Sequence, residues 1–275
     1  MILGGNIMAK YDALDVVLRK IESEEDLRNL ATICGIETIN GDDIERLIEI
    51  SNISYINELL VKKFNQEIRT NYGNTFANIF RDEYEPDYDD ILKATAKKLK
   101  VKYIPNMSSL SISDVEYLEK EILTAVLESI KKSIIEKEGI AAWQKIERMT
   151  QDGIEKAFKD GKITADEYNE FKISLGNLGL IAAIVAGRMS GFLVYMLANQ
   201  LFFAISRYLG LGIGVAVAGP IIGRTLSLFL GPVGWILSGL WILYDLGGTN
   251  WQKTIPAVVC IGAFRQQQKY KARLL

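Results

Sequence analysis

Histidine is absent from the 275 residues, and cysteine occurs only as Cys34 and Cys260. Without imidazole there is no Ser-His-Asp or Cys-His nucleophile, no histidine general base and no His-containing zinc site. Two lone cysteines make no disulfide framework, so each is expected to be a small buried apolar side chain in a reducing cytoplasm. Acidic residues are missing from one long stretch: none lies between Glu170 and Asp245. Over 173–248 the charged side chains ahead of Asp245 are Arg188, Arg207 and Arg224. No catalytic acid-base pair, cofactor loop or metal constellation emerges, and no enzymatic activity, cofactor or metal is expected.

What fills that stretch is glycine and hydrocarbon. Fourteen of the 23 glycines fall within 173–248, among apolar runs such as 178–185, 191–198 and 226–243. The charge divides the same way. Residues 1–172 hold 24 Lys+Arg against 33 Asp+Glu, a net of −9, and residues 173–275 hold 8 against 1, a net of +7. An acidic solvated body joined to a weakly basic apolar element suits an anionic membrane surface better than nucleic acid, for which no basic, aromatic-interleaved face is present.

The first eight residues are too short and uncharged for a secretory signal. Leu3-Gly4-Gly5-Asn6-Ile7-Met8 is what an in-frame ribosome-binding site two codons before an ATG would encode, so translation is expected to start at Met8.

From Lys10 to Lys172 the apolar spacing is helical and the class is all-α. Ser23 to Asp26 reads as a cap ahead of Leu27, Leu30 and Ile33, with Gly35 as the stop. Ile56, Leu59, Leu60, Phe64 and Ile68 share a face that ends at Asn71-Tyr72-Gly73. Pro86 opens a helix with Asp87, Asp89 and Asp90 at its positive end and Lys97, Lys98 and Lys100 at its negative end. After a polar loop, Ser113 to Glu116 reads as a capping box for a stripe of Val115, Leu118, Ile122, Val126, Ile130 and Ile134, broken at Gly139. Trp143, Ile146, Met149, Ile154 and Phe158 mark the next helix.

Two motifs invite chemistry and fail it. Aligning Gly161 with the glycine of a calcium-binding loop puts Lys156 and Phe158 at ligand positions, so Thr164 to Glu167 is read as a capping box between helices. Gly210-Leu-Gly-Ile-Gly214 follows a helix instead of a strand, and Gly219-Pro220 stands where a phosphate loop needs Gly-Lys.

The expected organisation is a small N-terminal helical domain over 1–35, an acidic helical body over 36–172, and an apolar Gly-rich hairpin with a basic C-terminal helix over 173–275. Residues 178–205 would reach roughly 42 Å as one helix at about 1.5 Å per residue, enough to cross a bilayer core of roughly 30 Å. Small residues recur at i+4 as Ala183, Gly187 and Gly191, as Gly210, Gly214 and Ala218, and as Gly219 and Gly223, the pattern of close helix contacts in membranes. Arg188, Arg207 and Arg224 need acceptors in such surroundings, and Asp245 is expected to pair with one of them, Arg224 first. Lys253, Arg265, Lys269, Lys271 and Arg273 flank the apolar run 255–264, so the last helix should lie on a membrane surface or dock on the acidic body.

The C-terminal segment carries a family likeness: a Gly231-Pro232-Val-Gly234 turn, then Thr254, Pro256, Ala257, Val258, Ile261 and Arg265 in one helix. With Tyr11-Asp12, Leu14 and Ser23 to Leu27 at the start, and 71–75 and 91–100 in the middle, the chain resembles the YaaW-like family of uncharacterised bacterial proteins. That family bears a ubiquinol-cytochrome c chaperone label, and many members open with a small domain of unknown function. The resemblance implies a chaperone-like assembly role for a membrane or respiratory protein and supplies no catalytic motif.

Three functions therefore stand as expectations. The first is a non-enzymatic membrane-active protein whose apolar hairpin inserts into or permeabilises the membrane on a trigger. The second is a chaperone-like assembly factor holding a membrane-protein client, and the third is a soluble helical homo-oligomer. The location expected is the bacterial cytoplasm, conditionally or peripherally at the inner membrane.

Overall fold

A computed structural model of the chain describes residues 13–21, 24–34, 38–39, 42–43, 46, 61–69, 86–161, 163–176, 179–187, 189, 191–209 and 251–274. The protein is all-α. The described helices are α1 (Ala13–Leu18), α2 (Glu24–Cys34), α3 (61–69), α4 (Tyr88–Lys98), α5 (Ile112–Glu138), α6 (Ile140–Lys159), α7 (Ala165–Leu175), α8 (Leu180–Val185), α9 (Gly191–Tyr208) and α10 (Trp251–Leu274). A turn-sized antiparallel pairing sets Thr38 against Asp43 and Ile39 against Asp42 without changing the class.

Local chemistry sets most helix ends. Asp87 caps α4 and Pro86 precedes it, one step earlier than the first-turn proline expected, with Asp89 and Asp90 in the first turn and Lys97 and Lys98 in the last. At the other end Lys100 N–H meets the Lys97 carbonyl at 3.1 Å and Val101 N–H the Ala96 carbonyl at 2.9 Å, a Schellman closure. Lys100 sits there at φ 58, a left-handed conformation that glycine adopts without strain. Lys100→Gly should raise stability by about 0.5–1 kcal/mol, read by urea melts.

α5 starts earlier than its sequence suggests. The capping box is Ser111 with Asp114, not Ser113 with Glu116: the Asp114 amide donates to Ser111 Oγ at 3.2 Å and Ser111 N–H to Asp114 Oδ2 at 3.0 Å. Both tetrads fit the pattern, and the earlier one brings two more residues, Ile112 and Ser113, into the helix. Gly139, at φ 85, then ends α5 and allows α6 to fold back on it. The second expected box is present, with Glu167 N–H donating to Thr164 Oγ1 at 3.2 Å and Thr164 N–H to Glu167 Oε2 at 2.7 Å.

The apolar stretch is interrupted. Residues 178–205 do not form one long helix: α8 ends at Val185, Gly187 takes φ 67, and α9 opens at Gly191. Ala183, Gly187 and Gly191 therefore do not share one helical face as the i+4 spacing suggested. Gly187 terminates a helix, because a left-handed residue cannot continue it. Among the described residues no helix is long and apolar enough to cross a membrane.

α9 is apolar around almost its whole circumference, and such a helix requires burial on all sides. It lies along α6 and touches α5 and α10, with Leu193, Val194, Leu197, Leu201 and Ile205 fully buried. At about 1.5–3 kcal/mol for each such side chain, this burial is a major source of the body's cohesion. α10 packs against α5, α9, α1, α2 and α4, so it docks on the acidic body, with Val258, Cys260 and Ile261 sealed in the core. Helices from all three expected segments, 1–35, 36–172 and 173–275, contribute to one hydrophobic cluster. α3 adds Phe64 and Ile68, and its Arg69 donates to the Pro86 carbonyl at 2.6 Å.

Candidate functional site

One charged residue stands on the apolar stripe of α5. Glu119 follows Val115 by four residues and precedes Ile122 by three, so the helical repeat turns it into the core, where its side chain is 1% exposed. Arg265 of α10 meets it there. Arg265 Nε donates to Glu119 Oε2 at 2.9 Å and Nη2 to Oε1 at 3.1 Å, a bidentate pair. The same Nη2 donates to the Ala13 carbonyl at 2.9 Å, and Tyr88 Oη donates to Glu119 Oε1 at 2.9 Å. One ion pair thus fastens α10 to α5, α1 and α4. Toward the surface Lys269 donates to both oxygens of Glu116, at 2.8 and 2.7 Å, and the Gln268 amide to the Val17 carbonyl at 3.0 Å.

Burial pushes the Glu119 carboxyl above its usual range, against the opposing pull of Arg265 and the Tyr88 hydroxyl. Burial also works against the Arg265 charge, but Glu119 outweighs it and raises the guanidinium further. Tyr88 and Tyr195 are both held well above an ordinary phenol, first by burial and then by the Glu119 charge. The cluster is sealed, and both carboxylate oxygens are occupied. It positions helices and offers no open group to a substrate.

Beside it, three helices meet at a residue without a side chain. A Cβ on Gly262 would stand 2.2 Å from Tyr195 Oη, 3.0 Å from Tyr195 Cζ and 3.1 Å from Glu119 Cβ. Gly262→Ala should therefore destabilise by about 1–3 kcal/mol through overpacking. Tyr195 Oη is buried without a hydrogen-bond partner, so Tyr195→Phe alone should be neutral or stabilising and should recover part of the Gly262→Ala loss, measured by thermal melts of the four proteins.

The same contacts fix the direction of α9 on α10. Gly191 abuts Gln266 and Tyr195 abuts Gly262, so four residues forward on α9 is four residues back on α10. The helices are antiparallel, and continuing the register brings the end of α9 and the start of α10 to one end of the bundle. Two rings there are each capped by a cation from a neighbouring helix: Lys98 Nζ lies 5.9 Å from the Trp251 ring centre and Lys145 Nζ 5.5 Å from that of Tyr208. Arg207 and Lys253 are exposed beside them. The last turns of α5 reach this end as well, with Lys131, Lys132 and Lys137 against Glu136 and Glu138. Among the described residues cations predominate at this end.

The expected site residues are distributed as follows. Ala183 is buried in α8, and Gly187 and Gly191 mark the break before α9. Arg207 is exposed and needs no buried acceptor, a correction to the expected buried charge pair. Arg188, Gly210, Gly214, Gly219, Gly223, Arg224, Gly231, Pro232, Gly234 and Asp245 lie outside the described residues. Thr254 and Pro256 are buried in α10, the proline inside the helix. Arg265 is the expected residue that lands in the cluster. Its partners Glu119 and Tyr88 escaped the sequence reading, although an acid at a stripe position of α5 was the signal for Glu119. Among the described residues no group of three or more acidic or cysteine side chains is placed to hold a metal.

No protein-family model matches the chain, and no solved structure matches it. Curated relatives do. A UPF0174 protein of Helicobacter pylori strain J99 is 27% identical over 262 residues, 93% of this chain and 92% of the relative. A second from that strain is 23% identical over 231 residues, 83% of this chain and 99% of the relative. One from strain 26695 is 26% identical over 212 residues, 76% and 90%. The chain is thus similar, at low identity and over most of its length, to UPF0174 proteins of Helicobacter pylori.

Proposed function

We propose that the chain is a non-enzymatic membrane-active protein of the bacterial cytoplasm, acting at the inner membrane through segment 210–250 while the helical body serves as its holder. The observation that carries this reading is the antiparallel seating of α9 on α10, which brings both attachment points of that segment to one cation-rich, ring-bearing end of the bundle. Lysine, arginine, tryptophan and tyrosine at a membrane-proximal end match the polar boundary of a bilayer with an anionic leaflet. The segment itself is 41 residues with Arg224 and Asp245 as its charged side chains, length enough for two passes of about 20 residues. α9 is committed to the core, so insertion is assigned to 210–250 and the body stays folded throughout. Fractionation of native cells with a carbonate wash tests the reading: the protein should remain in the membrane pellet, and its full release to the supernatant would overturn it.

A second reading draws on a different observation. Between α5 and α8 runs an apolar groove of about 680 Å³ with Ile135, Ile181 and Val185 in its walls, Val185 being 54% exposed. An open apolar groove suits a chaperone-like factor for a membrane-protein client, the role implied by the YaaW-like resemblance. A photo-crosslinker at Val185 that captures one membrane protein stoichiometrically would favour this reading, and a clean soluble homo-oligomer would favour neither.

A further inference from the structure

At the end of the bundle opposite the one assigned to the membrane, α5, α9 and α10 enclose a cleft of about 350 Å³, within the size range of small-molecule sites. Its charge is one-sided. Lys120, Lys269 and Arg273 line it against the single acid Glu116, and Lys269 already holds both Glu116 oxygens. Among the described residues neither Lys120 nor Arg273 forms an ion pair with a carboxylate. The first turn of α9, whose peptide dipoles present their positive end, contributes Gly191 and Phe192 to the same wall. Ser113 and Gln266 add polar groups and the rest of the lining is aromatic: Phe192 stacks on Tyr270 with centroids 4.0 Å apart and planes 10° apart, and Tyr117 and Tyr195 line the cleft as well.

Two uncompensated cations at a helix N-terminus select a compact anion of high charge, and a lysine-arginine pair favours phosphate. Rings around them favour a ligand that also carries a flat group. We infer that this cleft binds a soluble phosphate monoester bearing a flat ring, with Lys120 and Arg273 on the phosphate and the Phe192–Tyr270 stack beside the ring. Gly191 lets the Gln266 side chain lie directly against the start of α9, where a Cβ would collide with its Oε1. A phospholipid headgroup offers the same phosphate chemistry, but α9 separates this cleft from the membrane-facing end by roughly 27 Å at about 1.5 Å per residue. The soluble source is therefore the one assigned. The choice of a soluble source rests on the membrane reading, whereas the phosphate-and-ring site itself does not.

Titration calorimetry of the full chain with AMP as probe tests it, alongside inorganic phosphate, adenosine and vesicles containing phosphatidic acid. AMP should bind saturably and more tightly than phosphate or adenosine. Lys120→Ala and Arg273→Ala should each weaken it roughly tenfold, the loss of about one charge-assisted contact, and the double variant should abolish it. Both side chains reach solvent, so circular dichroism should show an unchanged fold. Absence of AMP binding, or binding indifferent to both substitutions, would overturn the site. Equal affinity for inorganic phosphate would overturn the ring-bearing class, and binding confined to vesicles would overturn the soluble source.

Discussion

Arg265→Met should lower the stability of the body by about 3–5 kcal/mol, because it leaves the Glu119 carboxylate buried without its counter-charge. Against a typical total of about 5–15 kcal/mol for a domain, that is a large share. Glu119→Leu should cost a similar amount, since a buried guanidinium cannot shed its proton. The double variant should behave differently. With both charges gone the loss should fall well below the sum of the single losses, to about 1–3 kcal/mol, the remainder coming from the Tyr88 hydroxyl and the Ala13 carbonyl that lose their partners. Urea melts of the four proteins give the coupling energy directly. A single-variant loss below about 1 kcal/mol would mean that water reaches the pair and that α10 is held mainly by its apolar face.

The pair also makes a statement about pH. Folding raises the Glu119 carboxyl, so between its unfolded and folded values the folded chain binds the proton more tightly. Its contribution to stability is therefore fully present below the ordinary carboxylate range and declines as pH rises through the folded value. Glu119→Gln should remove that slope. An ion pair whose acid is raised by burial stabilises little on balance, so we read its use as register: it sets where α10 sits on α5, and hence where segment 210–250 returns to the body.

Excising 210–250 and joining α9 to α10 through a short Gly-Ser linker should abolish carbonate-resistant pelleting while leaving the body's melting temperature nearly unchanged. Antiparallel neighbouring helices are commonly joined by about 2–8 residues, so closure should impose little strain on the bundle. The contacts of α9 with α5, α6 and α10 are all kept in the excised protein. Pelleting that survives the excision would place membrane attachment on the body's surface. A collapse of the melting temperature would show that 210–250 is part of the core.

Much of this architecture is legible in residue order. Thr164 with Glu167, Gly139 and the Val115 to Ile134 stripe locate helix ends and a buried face correctly because each acts over one or two turns. What fails is choice between equals and contact across the fold. Ser111 and Ser113 both start plausible boxes, and the intrinsic pattern does not rank them. Gly187 fits an i+4 row of small residues as well as it fits a left-handed stop, and the backbone conformation that decides between them is invisible in a list of residues. The family resemblance points to Arg265, but its acceptor lies 146 positions away. Glu119 could have been recognised as misplaced on an apolar stripe, but not matched to Arg265. Nothing in residue order marks Gly262, since its role comes from Tyr195 and Glu119 on two other helices.

The tryptophans permit the most direct test of the account. Trp235 and Trp241 fall within segment 210–250, whereas Trp143 is buried in α6 at 1% exposure and Trp251 starts α10. Single-tryptophan proteins, with the other three changed to phenylalanine, would be bound to anionic vesicles whose acyl chains carry bromine. Trp235 and Trp241 should be strongly quenched, Trp251 at the boundary little and Trp143 not at all. Equal quenching of all four, or none at Trp235 and Trp241 in protein that floats with the vesicles, would contradict the account.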